Sequence, residues 1–444
     1  KHPMKQSYDL LVAGGGPAGV AAAVAAARGG ADTLLIEHTG CLGGMGTSGL
    51  VGAWCPFTDG KRLLHGGIGA EVVRRTTRQL ACLESTEIPH GHIPFDPEYL
   101  KLVLDELVRS AGVQVLFHTV VAGAETEGRK LRRVTAANKS GIHKFEARCY
   151  IDCTGDGDLA GFAGAEFIEP QPDEETMPGS LCFVLSNIDS YSYTHVTRGT
   201  FGGNPASPIW TIMADPRYAD IESMHLTSNL VGPATAAFNA GHLYFDATDP
   251  ESVTQAMFQG RKLANRLTEA LHDCGGAAFA AAHLAQTASL AGVRESRRIR
   301  GRYELTLADY RARRDFPDSI GRNCYYVDVH QGKHKQKQCR TYEGWQAYMR
   351  EMPNADWNCG PGESHGIPFR ILQPEKLDNL LVAGRCVCCD KAVFGSLRVM
   401  PNAFTTGEAA GTAAALMIRD NIDDSGKLNI EELRTELIQN GAIL

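Results

Sequence analysis

An α/β fold built on a parallel sheet is predicted by three observations, two at the start of the chain and one in its composition. Tyr8 to Ala13 (YDLLVA) is a short apolar run, and GGGPAG follows at once from Gly14 to Gly19. An alanine-rich stretch, VAAAVAAARGG, then runs on through Gly29, where a helix should stop. That order reads as strand, tight turn and helix. With 43% hydrophobic and 21% charged residues among 444, the chain can bury a sizeable core, which excludes disordered and low-complexity architectures. The length suits two or three domains of about 100–200 residues. Its 48 glycines follow no collagen-like repeat, so particular turns must account for them.

Gly14, Gly16 and Gly19 have GxGxxG spacing: one glycine for the turn, one for close approach of the backbone to a pyrophosphate, one for packing helix on strand. Pro17 suits the first helical turn, where its missing N–H would be unpaired anyway, and Ala18 follows it. A second apolar run, Thr33 to Ile36, ends in Glu37, an acid about 20 residues past the glycines that can take both hydroxyls of an adenosine ribose. Strand, glycine turn, helix, strand and acid together make a Rossmann-like dinucleotide-binding unit; the alternative is a glycine-rich turn without chemistry. The unit alone does not separate NAD from FAD.

Directly after Glu37 comes HTGCLGGMGTSGLVGAW, holding His38, Cys41, Gly43, Gly44 and Met45, a run whose glycines free backbone N–H groups to line a cofactor. Further on, Pro97 to Ser110 reads as a helix and Ala111 to Ala122 (AGVQVLFHTVVA) as a strand. YIDCTGDGD puts Thr154, Gly155 and Asp156 at the end of another strand. LDNLLVAGR (Leu377 to Arg385) precedes GSLRVMPNAFTTGEAAG, which contains Met400 and Gly407. In these segments the sequence resembles the flavoprotein superfamily that includes fumarate reductase, glutathione reductase and other FAD-dependent oxidoreductases. It is similar also to a bacterial group with CLGG, GGIxxE, RESRR and SLRVMP segments, here Cys41 to Gly44, Gly66 to Glu71, Arg294 to Arg298 and Ser396 to Pro401.

The resemblance implies FAD, a parallel sheet with a β-meander, adenine against Val121, a second FAD motif at Thr154-Gly155-Asp156, and Gly384 with Arg385 near the ribityl chain. It also implies a helix N-terminus near Met400 aimed at the flavin, with Gly407 in that helix, where positive helix-end potential would stabilise the anion of the reduced ring. The competing reading makes Gly155, Gly384 and Gly407 turn and packing glycines. No second GxGxxG unit suggests a separate NAD(P)H domain.

From Ala165 to about Pro368 the pattern changes to Pro-rich loops, a strand at Ser180 to Leu185 and a helix from Ser252 to His272 with one apolar face. The predicted organisation is a first FAD-binding part at 4–165, an inserted α+β substrate or cap domain at 166–367, and a closing FAD-binding part at 368–444. RESRRIRGRYELT is either a solvated helical face or an anion clamp, since guanidinium forks match carboxylates and phosphates. Arg298 and Arg398 are the candidates for the clamp. On a strand, Asp328 and His330 would share one side, so Asp328 could orient His330 as general base; a structural pair is the alternative. His365, in SHGIPFR, competes for the proton role. His65 and His92 read as exposed loop histidines. Cys386 and Cys389 have C-x-x-C spacing with Cys388 between, open to redox, zinc or packing readings, with packing preferred. No metal site is predicted.

Lys+Arg 44 against Asp+Glu 51 gives a net charge of −7, which argues against nucleic acid or an anionic membrane as main partner. Thirteen cysteines cannot form a complete disulfide set, so a reducing compartment, the cytoplasm, is expected, with no apolar run long enough to span a membrane. Lys1-His2-Pro3 reads as an expression remnant. The function expected is hydride transfer between flavin N5 and a small polar, anionic substrate, with an electron acceptor such as oxygen, a quinone or a carrier protein. The rivals are a fumarate-reductase-like C=C reductase and a non-catalytic flavin-binding electron-transfer component.

Overall fold

The computed structural model describes residues 5–77, 88, 91–168, 175–333, 339–351 and 358–444. The leading Lys1 to Met4 lies outside the described residues, as do residues 334–338 within the short basic run Lys333 to Arg340, which reads from sequence as a solvated loop. The first apolar run forms the strand Ser7–Ala13, whose last four residues are buried on both faces, as parallel strands between helices must be. Parallel pairing gives the order Gln114–Leu116, Thr33–Ile36, Ser7–Ala13, Gly141–Asp152 and Leu380–Val382. The register aligns Leu116, Ile36, Ala13, Asp152 and Val382 along one carboxyl edge. Gly141–Asp152 is long because its first half also closes an antiparallel meander with Val120–Glu127 and Lys130–Asn138.

The single strand expected for Ala111 to Ala122 is divided into Gln114–Leu116 and Val120–Glu127. His118 breaks it, with φ at 50°, because the His118 and Thr119 N–H groups turn to donate to Thr39 O (3.0 Å) and Glu37 O (3.1 Å). The helix Pro97–Ser110 occupies the expected residues, capped by Asp96 accepting from the Glu98 N–H at 2.8 Å.

Helices Pro17–Arg28 and Met400–Arg419 cross at backbone contact. A Cβ on Gly407 would stand 2.1 Å from Ala18 O, and one on Gly411 2.1 Å from Ala22 O. These two glycines exist for that crossing, which brings the N-termini of both helices to the same edge of the sheet.

A second, antiparallel sheet runs in the order Leu226–Gly232, Thr235–Ala240, Phe183–Ser186 and His283–Thr287. The helix Pro250–Cys274 covers it, two residues longer at each end than expected because Asp249 caps it through the Glu251 and Ser252 N–H groups. Ala264, Leu267 and Leu271 from that helix join Phe183 and Phe238 in a separate core, the two rings stacked at 5.0 Å. Ile299, Leu305, Tyr310, Ile320 and Ile367 pack instead with the first strand. Asp328 to His330 is not a strand: residues 324–333 have no regular structure. The arginine-rich run is also irregular, with Arg294 and Arg298 buried.

Candidate functional site

A cavity of about 950 Å³ opens at the carboxyl edge of the parallel strands and is lined on its far side by the antiparallel sheet. Its near wall is backbone. Gly14 has φ +91°, and its Cβ would lie 2.5 Å from Cys153 O; a Cβ on Gly19 would lie 1.7 Å from Gly14 O. Both glycines serve the turn and the packing. A Cβ on Gly16 would meet nothing within 4 Å, so this residue opens onto the cavity instead. No side chain caps the helix beginning at Pro17, which leaves its first-turn N–H groups available to an anion. Pro17, Ala18, Gly44 and Met45 line the same stretch.

Glu37 is buried at the wall. Its carboxylate accepts from the Gly15 and Thr39 N–H groups, each at 2.7 Å, and stands 3.1 Å from His38 Nδ1. Burial pushes this carboxyl up, but His38 and the two N–H groups outweigh it and hold it below its ordinary value. Val121 lines the cavity beside them. The Thr154-Gly155-Asp156 turn is tied by Asp152, which accepts from the Thr154 N–H at 2.9 Å and the Ala160 N–H at 2.8 Å. Arg385 donates to Asp156 at 2.8 Å and to Ser296 Oγ at 2.7 Å, and Gly384, at φ +80°, gives its N–H to Thr406 Oγ1 at 3.1 Å. Val399 and Met400 bring the second uncapped helix start to the cavity.

The far wall is made of side chains. Arg398 Nη2 donates to Asp328 Oδ2 at 2.9 Å, and Asp328 Oδ1 stands 3.4 Å from His330 Nε2. Burial would raise the Asp328 carboxyl, yet His330, Arg398 and Arg294 hold it far below the usual carboxylate range. His330 Nδ1 is 3.1 Å from His242 Nε2, and Arg294 Nη2 is 3.1 Å from His225 Nε2 and from Asn239 Oδ1. Burial, then the Arg294 charge, keeps both His330 and His225 below the ordinary histidine value. Arg398 Nε is buried without a hydrogen-bond partner.

The structure therefore brings Asp328, His330 and Arg398 into one cavity with the dinucleotide motif. Six expected residues stand elsewhere. Gly407 is a helix-crossing residue, and Gly19 packs on Gly14 O. Gly43, at φ +102°, faces the Thr47 side chain, and Cys41 Sγ contacts Ser48 Oγ at 3.2 Å. Arg298 is buried under the Phe394 ring and donates to Cys389 O at 3.0 Å, so the arginine of its run that reaches the cavity is Arg294. His365 is wholly buried, accepting from Asn323 Nδ2 at 3.0 Å and donating to Gly366 O at 2.9 Å. His65 is buried against Thr405 rather than exposed, and burial takes it down to about 3. Cys386, Cys388 and Cys389 are buried free thiols.

His225, His242 and Arg294 were not singled out by spacing. The signal that finds the two histidines is symmetry: they stand equally far from the Pro233-Ala234 turn of one hairpin, in which Leu226 pairs with Ala240.

The profile of the family described as FAD dependent oxidoreductase matches residues 9–437. No curated protein sequence matches significantly. Among solved structures the chain is similar to a geranylgeranyl bacteriochlorophyll reductase-like protein from Thermoplasma acidophilum, at 12% identity and TM-score 0.48, covering 98% of this chain and 84% of that one. It is similar also to p-nitrophenol 4-monooxygenase from Pseudomonas putida, at 11% identity and TM-score 0.47, with coverage of 98% and 84%. A myxobacterial chondrochloren halogenase gives 14% identity and TM-score 0.44 over 98% of this chain and 78% of that one.

Proposed function

The chain belongs to the FAD-dependent oxidoreductase family and its cofactor is FAD; on that premise we propose a dehydrogenase or oxidase acting on a small polar, anionic substrate. The near wall fits the cofactor. Gly16 and the uncapped start of the helix at Pro17 would hold the pyrophosphate, Glu37 the ribose hydroxyls, and Val121 the adenine. Gly384, Arg385 and the Met400 helix end would hold the ribityl and ring portion. When bound, FAD supplies two-electron chemistry, exchanging hydride with a substrate carbon.

The protein's own part is proton handling and anion binding. His330, kept neutral by burial and steered by Asp328, takes the proton of a substrate hydroxyl or amine. Arg398 and Arg294 hold the substrate's anionic group. The observation that carries this reading is the line Arg398–Asp328–His330: one carboxylate holds a cavity-lining guanidinium at 2.9 Å and a cavity-lining imidazole at 3.4 Å, so a cation and a proton acceptor face the same space. Oxidation of a C–H beside oxygen or nitrogen is preferred, because a proton acceptor and not only an arginine faces the cavity.

We also propose the division 4–165, 166–367 and 368–444, with residues near Ile299 to Tyr310 packing across it, and a cytoplasmic location in keeping with the free thiols. No helix among the described residues is long and apolar enough to cross a membrane. The test is an anaerobic screen of small anionic alcohols and amines for bleaching of the bound flavin. Bleaching by one chemical class is expected. Reoxidation of reduced flavin by unsaturated acids, with no bleaching by alcohols or amines, would favour C=C reduction; bleaching only by a partner protein would favour an electron-transfer component.

A further inference from the structure

The histidines of the far wall do more than surround His330. His225 ends the segment leading into Leu226–Gly232, and His242 follows Thr235–Ala240; the Gly241 N–H donating to His225 O at 2.8 Å clamps the two positions at the edge of a hydrogen-bonded sheet. Their rings stack with centroids 5.0 Å apart and planes 14° apart. His330 arrives from the irregular segment and stands perpendicular to both, at 5.3 Å and 5.1 Å, with 86° between planes in each case. One nitrogen of each ring lies within 4.8 Å of the other two.

We propose that His225, His242 and His330 bind one divalent transition-metal ion of the zinc class, with its open coordination side toward the cavity. Two nitrogens on a tetrahedral ion with bonds near 2.0–2.1 Å stand about 3.3 Å apart. His242 Nε2 and His330 Nδ1 are 3.1 Å apart, close to that spacing, so an ion between them replaces the hydrogen bond they share and draws His225 in by side-chain rotation. The outer nitrogen of His330 faces Asp328, the carboxylate–histidine arrangement that orients a ligand ring and raises its basicity. Imidazole without thiolate or carboxylate in the first sphere suits zinc, cobalt, nickel or copper rather than magnesium or calcium.

Arg294 sets a limit on affinity. Its Nη2 contact with His225 Nε2 must be given up if that nitrogen takes the ion, while its bonds to Pro178 O and Asn239 Oδ1 can remain. The geometry alone carries this site, independent of the substrate reading. In the ion-bound form His330 Nδ1 is a ligand, so the proton role proposed above belongs to the metal-free protein, and the two states are told apart by whether added ion slows flavin reduction.

The experiment uses the FAD-loaded protein after chelator treatment, titrated anaerobically with Co²⁺ and followed by ligand-field absorption, then displaced by Zn²⁺. One Co²⁺ per chain with a tetrahedral or five-coordinate spectrum is expected, and His242→Ala and His225→Ala should each weaken binding by roughly 100-fold or more while keeping FAD bound. No saturable absorption in the wild-type protein, or the same spectrum and affinity in both variants, would overturn the site. Neither outcome depends on turnover, so failure here leaves the oxidoreductase reading standing, and failure of that reading leaves the metal titration interpretable.

Discussion

The two ends of the cavity are built by different means. At the near wall Gly14, Gly16, Gly19 and Glu37 sit within one strand–helix–strand unit, and what faces the cavity there is chiefly backbone, an open glycine and uncapped N–H groups, with one side-chain carboxylate held by the Gly15 and Thr39 N–H groups. At the far wall His225, His242, Arg294, Asp328, His330 and Arg398 come from four separated stretches, and what faces the cavity is side chain. A site made of backbone needs residues that permit an approach, and these leave a spacing in the sequence. A site made of side chains needs only convergence, which spacing does not record.

The largest expected effects come from breaking the near wall. Gly16→Val should yield folded protein without FAD, since its Cβ has no protein atom within 4 Å and the side chain would fill the place proposed for the pyrophosphate. Gly19→Ala, a smaller change, should instead cost on the order of 3 kcal/mol or more of stability, because its Cβ meets a backbone carbonyl that no rotamer can avoid. Flavin absorbance after gel filtration, together with denaturant midpoints, separates the two. Equal loss of fold in both would show that Gly16 is another packing glycine.

The far wall is tested by His330→Ala. Flavin content should stay at the wild-type level, while anaerobic flavin reduction by a substrate from the screen slows by roughly 10²- to 10⁴-fold, the usual worth of a positioned acid or base. An unchanged rate would remove His330 from proton handling.

A smaller effect is expected of Glu37→Ala. It deprives the Gly15 and Thr39 N–H groups of their acceptor and, on the reading proposed above, the ribose of its partner, so FAD should bind roughly 10- to 100-fold more weakly by equilibrium titration of the apoprotein. An unaltered affinity would make Glu37 a turn residue only.

The comparison also explains what was legible beforehand. The parallel sheet, its first helix and the position of Glu37 at the cavity wall follow from apolar runs and glycine spacing, because each contact closes within a few tens of residues. For Gly407 both the cofactor reading and the packing reading stand in sequence, since a glycine admitting another helix and one admitting a phosphate look alike there; the Ala18 carbonyl 2.1 Å from its Cβ position favours packing. Asp328 and His330 were paired for a strand that does not exist, and they meet because Arg398 anchors Asp328 from another segment. Arg298 and Arg294 share one run, yet one donates to Cys389 O beneath Phe394 and the other faces the cavity, a sorting that depends on which irregular turn each occupies.

The smallest effect on turnover is expected at His365, and there the two histidine candidates part. Both ring nitrogens are engaged inside the protein, by Asn323 and by Gly366 O, and none of its surface reaches the cavity. His365→Gln should therefore leave flavin reduction within roughly threefold of wild type, the range of a change remote from the reacting atoms. Its effect belongs to acid stability. Burial takes the ring down to about 4 in the folded protein, below the 6.5 expected when unfolded. Between those values the unfolded chain binds the extra proton, so stability contributed by the neutral ring is complete above about 6.5 and is lost as pH falls through about 4. The loss amounts to about 3 kcal/mol at most. Denaturant midpoints from pH 7 to pH 4 should fall less steeply in His365→Gln than in the wild type. Parallel pH profiles would mean that some other group governs the acid limb, and a large drop in reduction rate at constant FAD content would return the proton role to this histidine.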